Sequence, residues 1–196
     1  MATDLFIISN IKVSKEDVLA EKDEYINKLK ALNLDSVLPR SEHIEDWECE
    51  FPEIYDEQTN SVIPNKETKE IIHFSSPFSY SITVYPNCLE ISTIYKYRFI
   101  YTLSESEFFN KFRQDIYNII SIFGGSEVIY LADNGCDILS AHLELKVWEG
   151  VSYNVVKKDI EKSGIPLTSD YDSLKLDTLS YRNITEIVYD DFADFS

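Results

Sequence analysis

The chain is poor in glycine, cysteine, methionine and basic residues. Of 196 residues, five are Gly, three Cys and one Met, and 18 Lys+Arg stand against 35 Asp+Glu, giving a formal net charge of −17. The glycines all lie between Gly124 and Gly164 and form neither a GxGxxG nor a GxxxxGK loop, so no phosphate cradle is encoded. Cys49, Cys88 and Cys136 are far apart and contain no CxxC pair, which supports neither a disulfide framework nor a zinc knuckle. Scarcity of Lys and Arg excludes the phosphate-neutralising face of a nucleic-acid binder. It equally excludes polybasic docking on anionic membranes. No apolar run reaches the roughly 18 residues of a membrane span. At the N-terminus Asp4 precedes a very short apolar run without a basic region, which does not read as a secretory signal. A reducing cytoplasm is the expected location.

Catalytic constellations are absent too. His43, His73 and His142 are widely separated, with no HExxH or HxH spacing. Cys136 has Asp137 beside it and His142 six residues on, poor spacing for a nucleophile and base on one helix. Glu45, Asp46, Glu48 and Glu50 lack the glycine turn and regular spacing of a calcium loop. Gly124-Gly125-Ser126 follows a helical pattern and precedes a strand pattern, the reverse of a phosphate loop, and reads as a helix C-cap. No GxSxG, kinase or deaminase set occurs. The expectation is a non-enzymatic protein without cofactor or metal.

What remains is rich in apolar and aromatic residues, 44% and 13% of the chain, enough for one core. Residues 4–13 form a short apolar stretch that reads as a strand. Ser14, with Asp17 in capping-box position, opens a helix whose Val18, Tyr25, Ile26, Leu29 and Leu32 form one stripe up to about Asn33. Strand patterns follow at 70–75, 78–85 and 89–101, with a turn at Pro86-Asn87. Ser104 and Glu107 cap a helix over 105–123, its stripe running through Phe108, Phe109, Phe112, Ile116, Ile119, Ile120 and Phe123. Residues 127–131 read as a strand and 152–163 as a helix closed by Gly164 and Pro166. Residues 136–149 fit two patterns: Leu143, Leu145 and Val147 alternate as in a strand, while Leu139, Leu143 and Val147 fit a helix ending at Gly150, which is the preferred reading. Residues 174–192 read as strand or irregular structure. The expected fold is a single α+β domain over 1–196, with an antiparallel-dominated sheet and helices packed on one face.

Two segments depart from this pattern. Residues 34–69 read as a long insertion or loop, and within it residues 41–60 hold eight acids and no Lys or Arg. The tail at 189–196 is also acidic and aromatic. Residues 41–60 and 183–196 together hold twelve acids and no base, against an excess of 17 for the whole chain. Solubility alone is served by acids spread over the surface, so this concentration marks a recognition patch. Its expected members are Glu45, Asp46, Trp47, Glu48, Glu50, Phe51, Glu53, Tyr55, Asp56 and Glu57, with Tyr189, Asp190, Asp191, Phe192 and Asp194. The aromatics would anchor, and the carboxylates would steer a basic protein partner.

The sheet-helix-strand run from Ser79 to Asp133, ending Gly124-Gly125-Ser126-Glu127-Val128-Ile129-Tyr130-Leu131, together with the acidic single-domain character, loosely resembles the small acidic immunity proteins of bacterial polymorphic or contact-delivered toxin systems. The resemblance covers about a quarter of the chain and transfers no functional residue by motif. It implies an inhibitor that binds a cognate toxin domain and occludes a basic active-site cleft. The alternative is a DNA-mimic inhibitor or acidic adaptor, and an enzyme with an unrecognised site ranks behind both.

Overall fold

The computed structural model describes residues 4–34, 40–50, 53–56, 61–64, 71–78, 80–96, 107–133, 143, 146–170 and 187–195. Among them the strands are β1 (Asp4–Ser9), β2 (Glu48–Glu50), β3 (Glu53–Asp56), β4 (Ser61–Pro64), β5 (Ile72–Ser75), β6 (Tyr80–Val84), β7 (Leu89–Lys96), β8 (Val128–Asp133), β9 (Leu167–Thr168) and β10 (Ile187–Asp190). The helices are α1 (Lys15–Ala20), α2 (Lys22–Lys30), α3 (Glu107–Ile122) and α4 (Tyr153–Ser163). Residues 143 and 146–148 are helical as well, the preferred of the two patterns that the stretch fits.

One eight-stranded sheet runs in the order β2-β5-β6-β7-β1-β8-β10-β9, while β3 and β4 pair separately. Every ladder is antiparallel except β10 with β9. The α+β class read from the sequence therefore holds. At the centre, β1 pairs with β7 on one side and β8 on the other. Its run Leu5-Phe6-Ile7-Ile8 is wholly buried, as a strand covered on both faces must be. Leu5 and Ile7 enter one core, with α1, α2 and α3; Phe6 and Ile8 enter another, with α4 and residues 143 and 147. The helices, expected on one face, thus cover both. The reason is legible in β8, where Val128 and Tyr130 face the first core while Ile129 and Leu131 face the second.

Helix α3 lays Phe112, Ile116, Ile119, Ile120 and Phe123 into the first core, all fully buried. Burial of each contributes about 2 kcal/mol. The helix stops at Gly124, where φ is +73°, and the Gly125 N–H donates to the Ile120 carbonyl at 2.9 Å. The predicted first helix is two. Glu21, at φ −112° and ψ 26°, breaks it, and the change of direction lets Val18 of α1 and Tyr25 and Leu29 of α2 all reach the core. Ser14 Oγ accepts from the Asp17 N–H at 3.1 Å, as the capping pattern predicts.

The predicted insertion at 34–69 contributes strands β2, β3 and β4 rather than loop alone. Likewise the predicted tail is a sheet strand followed by a 3-10 turn, Ala193–Phe195. Ser104, Cys136, His142, residues 97–101 and residues 174–186 lie outside the described residues.

Candidate functional site

The acidic segment is pegged to the body by its own aromatic residue. Trp47 is buried in the first core, so its indole fills the fold and offers no anchor to a partner. This corrects its sequence-based role: a ring of that size beside β5 and α2 gains more from core contact than from exposure. Asp46 closes the turn before it, accepting the Trp47 N–H at 2.8 Å and pairing with Lys30 of α2 at 2.7 Å. That ion pair holds the Asp46 carboxyl below its ordinary range. Ser41 fixes the other end. Its N–H donates to the Pro77 carbonyl at 2.7 Å, and its Oγ accepts from His43 and Ile44 at 3.2 Å each.

These attachments leave Glu42, Glu45 and Glu48 exposed, and none has an ion-pair partner among the described residues. Glu48 and Glu50 flank Cys49 on β2, an edge strand of the large sheet, with Glu48 opposite Ser75 and Glu50 opposite His73. Acids on an edge strand discourage uncontrolled strand addition. Glu53, Tyr55 and Asp56 lie on β3, paired with Pro64, Val62 and Ser61 of β4. Phe51 and Glu57 lie outside the described residues.

The second predicted patch folds inward. Arg113 of α3 grips both Asp190 and Asp194, with Nε to Asp190 Oδ2 at 2.7 Å and Nη1 to Asp194 Oδ2 at 2.9 Å. The Phe195 ring lies 4.7 Å from the guanidinium, and the buried Phe192 ring packs 5.3 Å from that of Tyr117. Phe192 holds φ +52°, a left-handed backbone that its own N–H supports by donating to Asp190 Oδ1 at 2.8 Å. Phe192 and Asp190 are therefore clamp residues and not partner contacts; Arg113 supplies the charge that lets Asp190 be buried. Tyr189 is half-buried, its hydroxyl donating to Glu127 Oε2 and its ring lying 4.2 Å from the Lys157 ammonium. Of this group only Asp191 stays exposed without an ion pair among the described residues.

Reactive groups elsewhere have structural work. Burial, with Glu90 nearby, pushes the Cys88 thiol up to about 12, so it is protonated and inert. His73 sits between hydroxyls on the sheet, Nε2 2.8 Å from Ser81 Oγ and Nδ1 3.2 Å from Thr83 Oγ1. Tyr80 donates to the buried Asp115 at 3.0 Å, and Tyr85 to the buried Glu90 at 2.9 Å. No group of three or more His, Cys, Asp or Glu could hold a metal ion among the described residues, and none of their helices is long and apolar enough to cross a membrane.

Sequence reasoning missed two residues. Arg113 had a signal: it stands next to Phe112 on the apolar stripe of α3, where a lone guanidinium needs an acid from elsewhere. Trp148 had none, because a single tryptophan beside Gly150 carries no mark of exposure, yet it is 52% exposed. Comparison with protein-family models, curated proteins and solved structures gives no match, so the functional reading rests on this chain's own residues.

Proposed function

We propose that the protein is a non-enzymatic inhibitor that binds a basic protein partner, in the manner of an immunity protein that occludes the active-site cleft of a toxin domain in the cytoplasm. The observation that carries this reading is the acidic edge: Glu42, Glu45 and Glu48 project from a segment fixed by Trp47, Asp46 and Ser41, and the nearby Arg40 donates to the Glu45 backbone carbonyl at 3.2 Å, so none of the three carboxylates is in an ion pair among the described residues. A fixed array of uncompensated carboxylates raises the local potential and speeds encounter with a cationic cleft. Because its support is rigid, little ordering entropy opposes docking.

The test is affinity capture with the intact chain at about 50 and about 300 mM salt, followed by assay of the captured domain's activity. The expected result is one stoichiometric, salt-sensitive partner with a basic catalytic domain, inhibited in the complex. Recovery of the chain alone would overturn the reading. Displacement of the partner by duplex DNA would move it to the DNA-mimic alternative.

A further inference from the structure

A cleft of about 240 Å³ opens beside the β6–β7 turn, walled by Lys15, Tyr85, Pro86, Asn87, Trp148 and Glu149. Trp148 is conspicuous there. Among the described residues only it and Val155 are large apolar side chains left exposed. The backbone on either side of it is nevertheless braced. Val147 before it is fully buried in the second core, and Gly150 after it ends the turn at φ +79°. The Gly150 N–H donates to the Val147 carbonyl at 2.9 Å, and Asn87 Nδ2 donates to the Gly150 carbonyl at 3.0 Å. An exposed indole on a braced turn is a preorganised anchor rather than a stray surface residue.

The polar lining selects the guest. Glu149 is exposed and presents a carboxylate, and the bond from Asn87 Nδ2 leaves its Oδ1 as an acceptor. Lys15, also in the lining, is buried and its ammonium pairs with Glu16 at 3.6 Å. A purely apolar guest would desolvate Glu149 and the amide without compensation. A flat cation does not: it stacks on the indole while its N–H groups reach the carboxylate and the amide oxygen. The net charge of −17 draws such a group in.

We infer that this cleft receives an arginine side chain of the basic partner; the inference rests on the proposed function above and names a second contact point for it. The test follows the Trp148 indole N–H cross-peak, assigned with Trp148→Phe, while acetyl-Gly-Arg-Gly-amide is added to the full chain at constant ionic strength. The same peptide with citrulline, isosteric and uncharged, is the control. Saturable movement is expected with arginine, with binding at least about tenfold weaker for citrulline. Glu149→Gln should weaken the arginine peptide several-fold; in Trp148→Ala, followed through the backbone amide peaks of Asn87 and Gly150 in place of the lost indole, no saturable movement is expected while the remaining amide spectrum keeps its dispersion. Equal responses to the two peptides, or movement that never saturates with arginine, would overturn the inference. Capture of a basic partner with a silent cleft would leave the proposed function standing and remove only this site. A responsive cleft without a captured partner would do the reverse.

Discussion

Arg113 and Asp190 form two parallel hydrogen bonds, Nε to Oδ2 at 2.7 Å and Nη2 to Oδ1 at 2.9 Å, with side chains only 6% and 2% exposed. Fork-to-fork geometry of this kind is directional as well as charged. It joins α3 to the end of β10 and so closes the chain's last strand onto its longest described helix. Breaking one partner strands a buried charge. Arg113→Met is expected to cost about 3–5 kcal/mol in urea unfolding. Arg113→Met with Asp190→Asn should recover part of that loss, because no unpaired charge remains and an amide oxygen still accepts the Phe192 N–H. Additive losses in this double-mutant cycle would mean that the two groups are not coupled.

The same clamp sets a pH dependence. The Arg113 guanidinium holds the Asp194 carboxyl below its ordinary value of 3.8, and Lys146 with Lys162 does so for Asp159. A carboxylate lowered in the folded state contributes stability above its unfolded pKa and loses it as pH falls through the folded one. Wild-type stability should therefore fall below about pH 4. Asp194 is largely exposed, so its own share is small. Arg113→Met removes the group that lowers Asp194, so the gap to wild type should narrow as pH drops. Urea midpoints between about pH 6 and about pH 3 measure both slopes, and a gap that widens in acid would contradict this account.

Tyr153 poses the opposite problem. It is buried at the start of α4, and among the described residues its hydroxyl has no hydrogen-bond partner. Burial, with the nearby Glu127 carboxylate, drives its pKa far upward. A buried hydroxyl without a partner costs about 1–3 kcal/mol of desolvation. Tyr153→Phe should thus stabilise the protein by about 1 kcal/mol, seen as a raised urea midpoint at unchanged slope. A lowered midpoint would show that the hydroxyl is bonded.

Local patterns made the helices and most of the sheet legible. The stripe from Phe109 to Phe123, the Ser14 cap and the Gly164 stop all act within a few residues, and the short range of helical physics puts them in the sequence. The second helical layer was less visible: Phe6 and Ile8 must be recognised as facing away from Leu5 and Ile7 before a second cover is demanded. The candidate site was half legible. Its charge could be counted, so Glu45 and Glu48 are among its expected members, whereas Glu42 is only counted with the acids of the segment. Which acids are already spent could not be counted, because Asp190 and Asp194 meet Arg113 across more than seventy residues of chain. Trp47 and Phe192 read as anchors for the same reason. Aromatic residues beside acids look alike in sequence whether the ring points in or out.

Two glycines separate space from backbone strain. A Cβ on Gly125 would lie 2.7 Å from Ser9 Oγ and 2.8 Å from the Asn10 carbonyl oxygen, against a backbone that cannot yield cheaply. Gly164 has open space around it but a φ of +79°. Gly164→Ala should cost about 1–2 kcal/mol, the strain of a left-handed residue. Gly125→Ala should cost more, since overpacking adds about 1–3 kcal/mol and also disturbs the β1–β8 junction. Thermal unfolding of both variants gives the order, and the reverse order would mean that the Asn10 backbone moves aside.

The acidic edge and its buried peg should fail in different ways. Glu42→Lys, Glu45→Lys and Glu48→Lys alter exposed charges that act at a distance. Each is expected to slow association with a captured basic partner by about two- to fivefold at low salt, with little change in dissociation. The effect should fade as the Debye length shortens to about 8 Å near physiological salt. Trp47→Ala should instead lower stability by about 3–5 kcal/mol, because it empties a core site. It should weaken binding only as far as it unfolds the segment that carries the three acids. Rapid-mixing kinetics on the four variants, beside their unfolding curves, separate the two roles. If Trp47→Ala chiefly speeds dissociation from a chain of unchanged stability, the indole touches the partner and its place in the core is wrong. If the three lysine variants leave the association rate unchanged at low salt, the edge does not steer, and the partner approaches from another side.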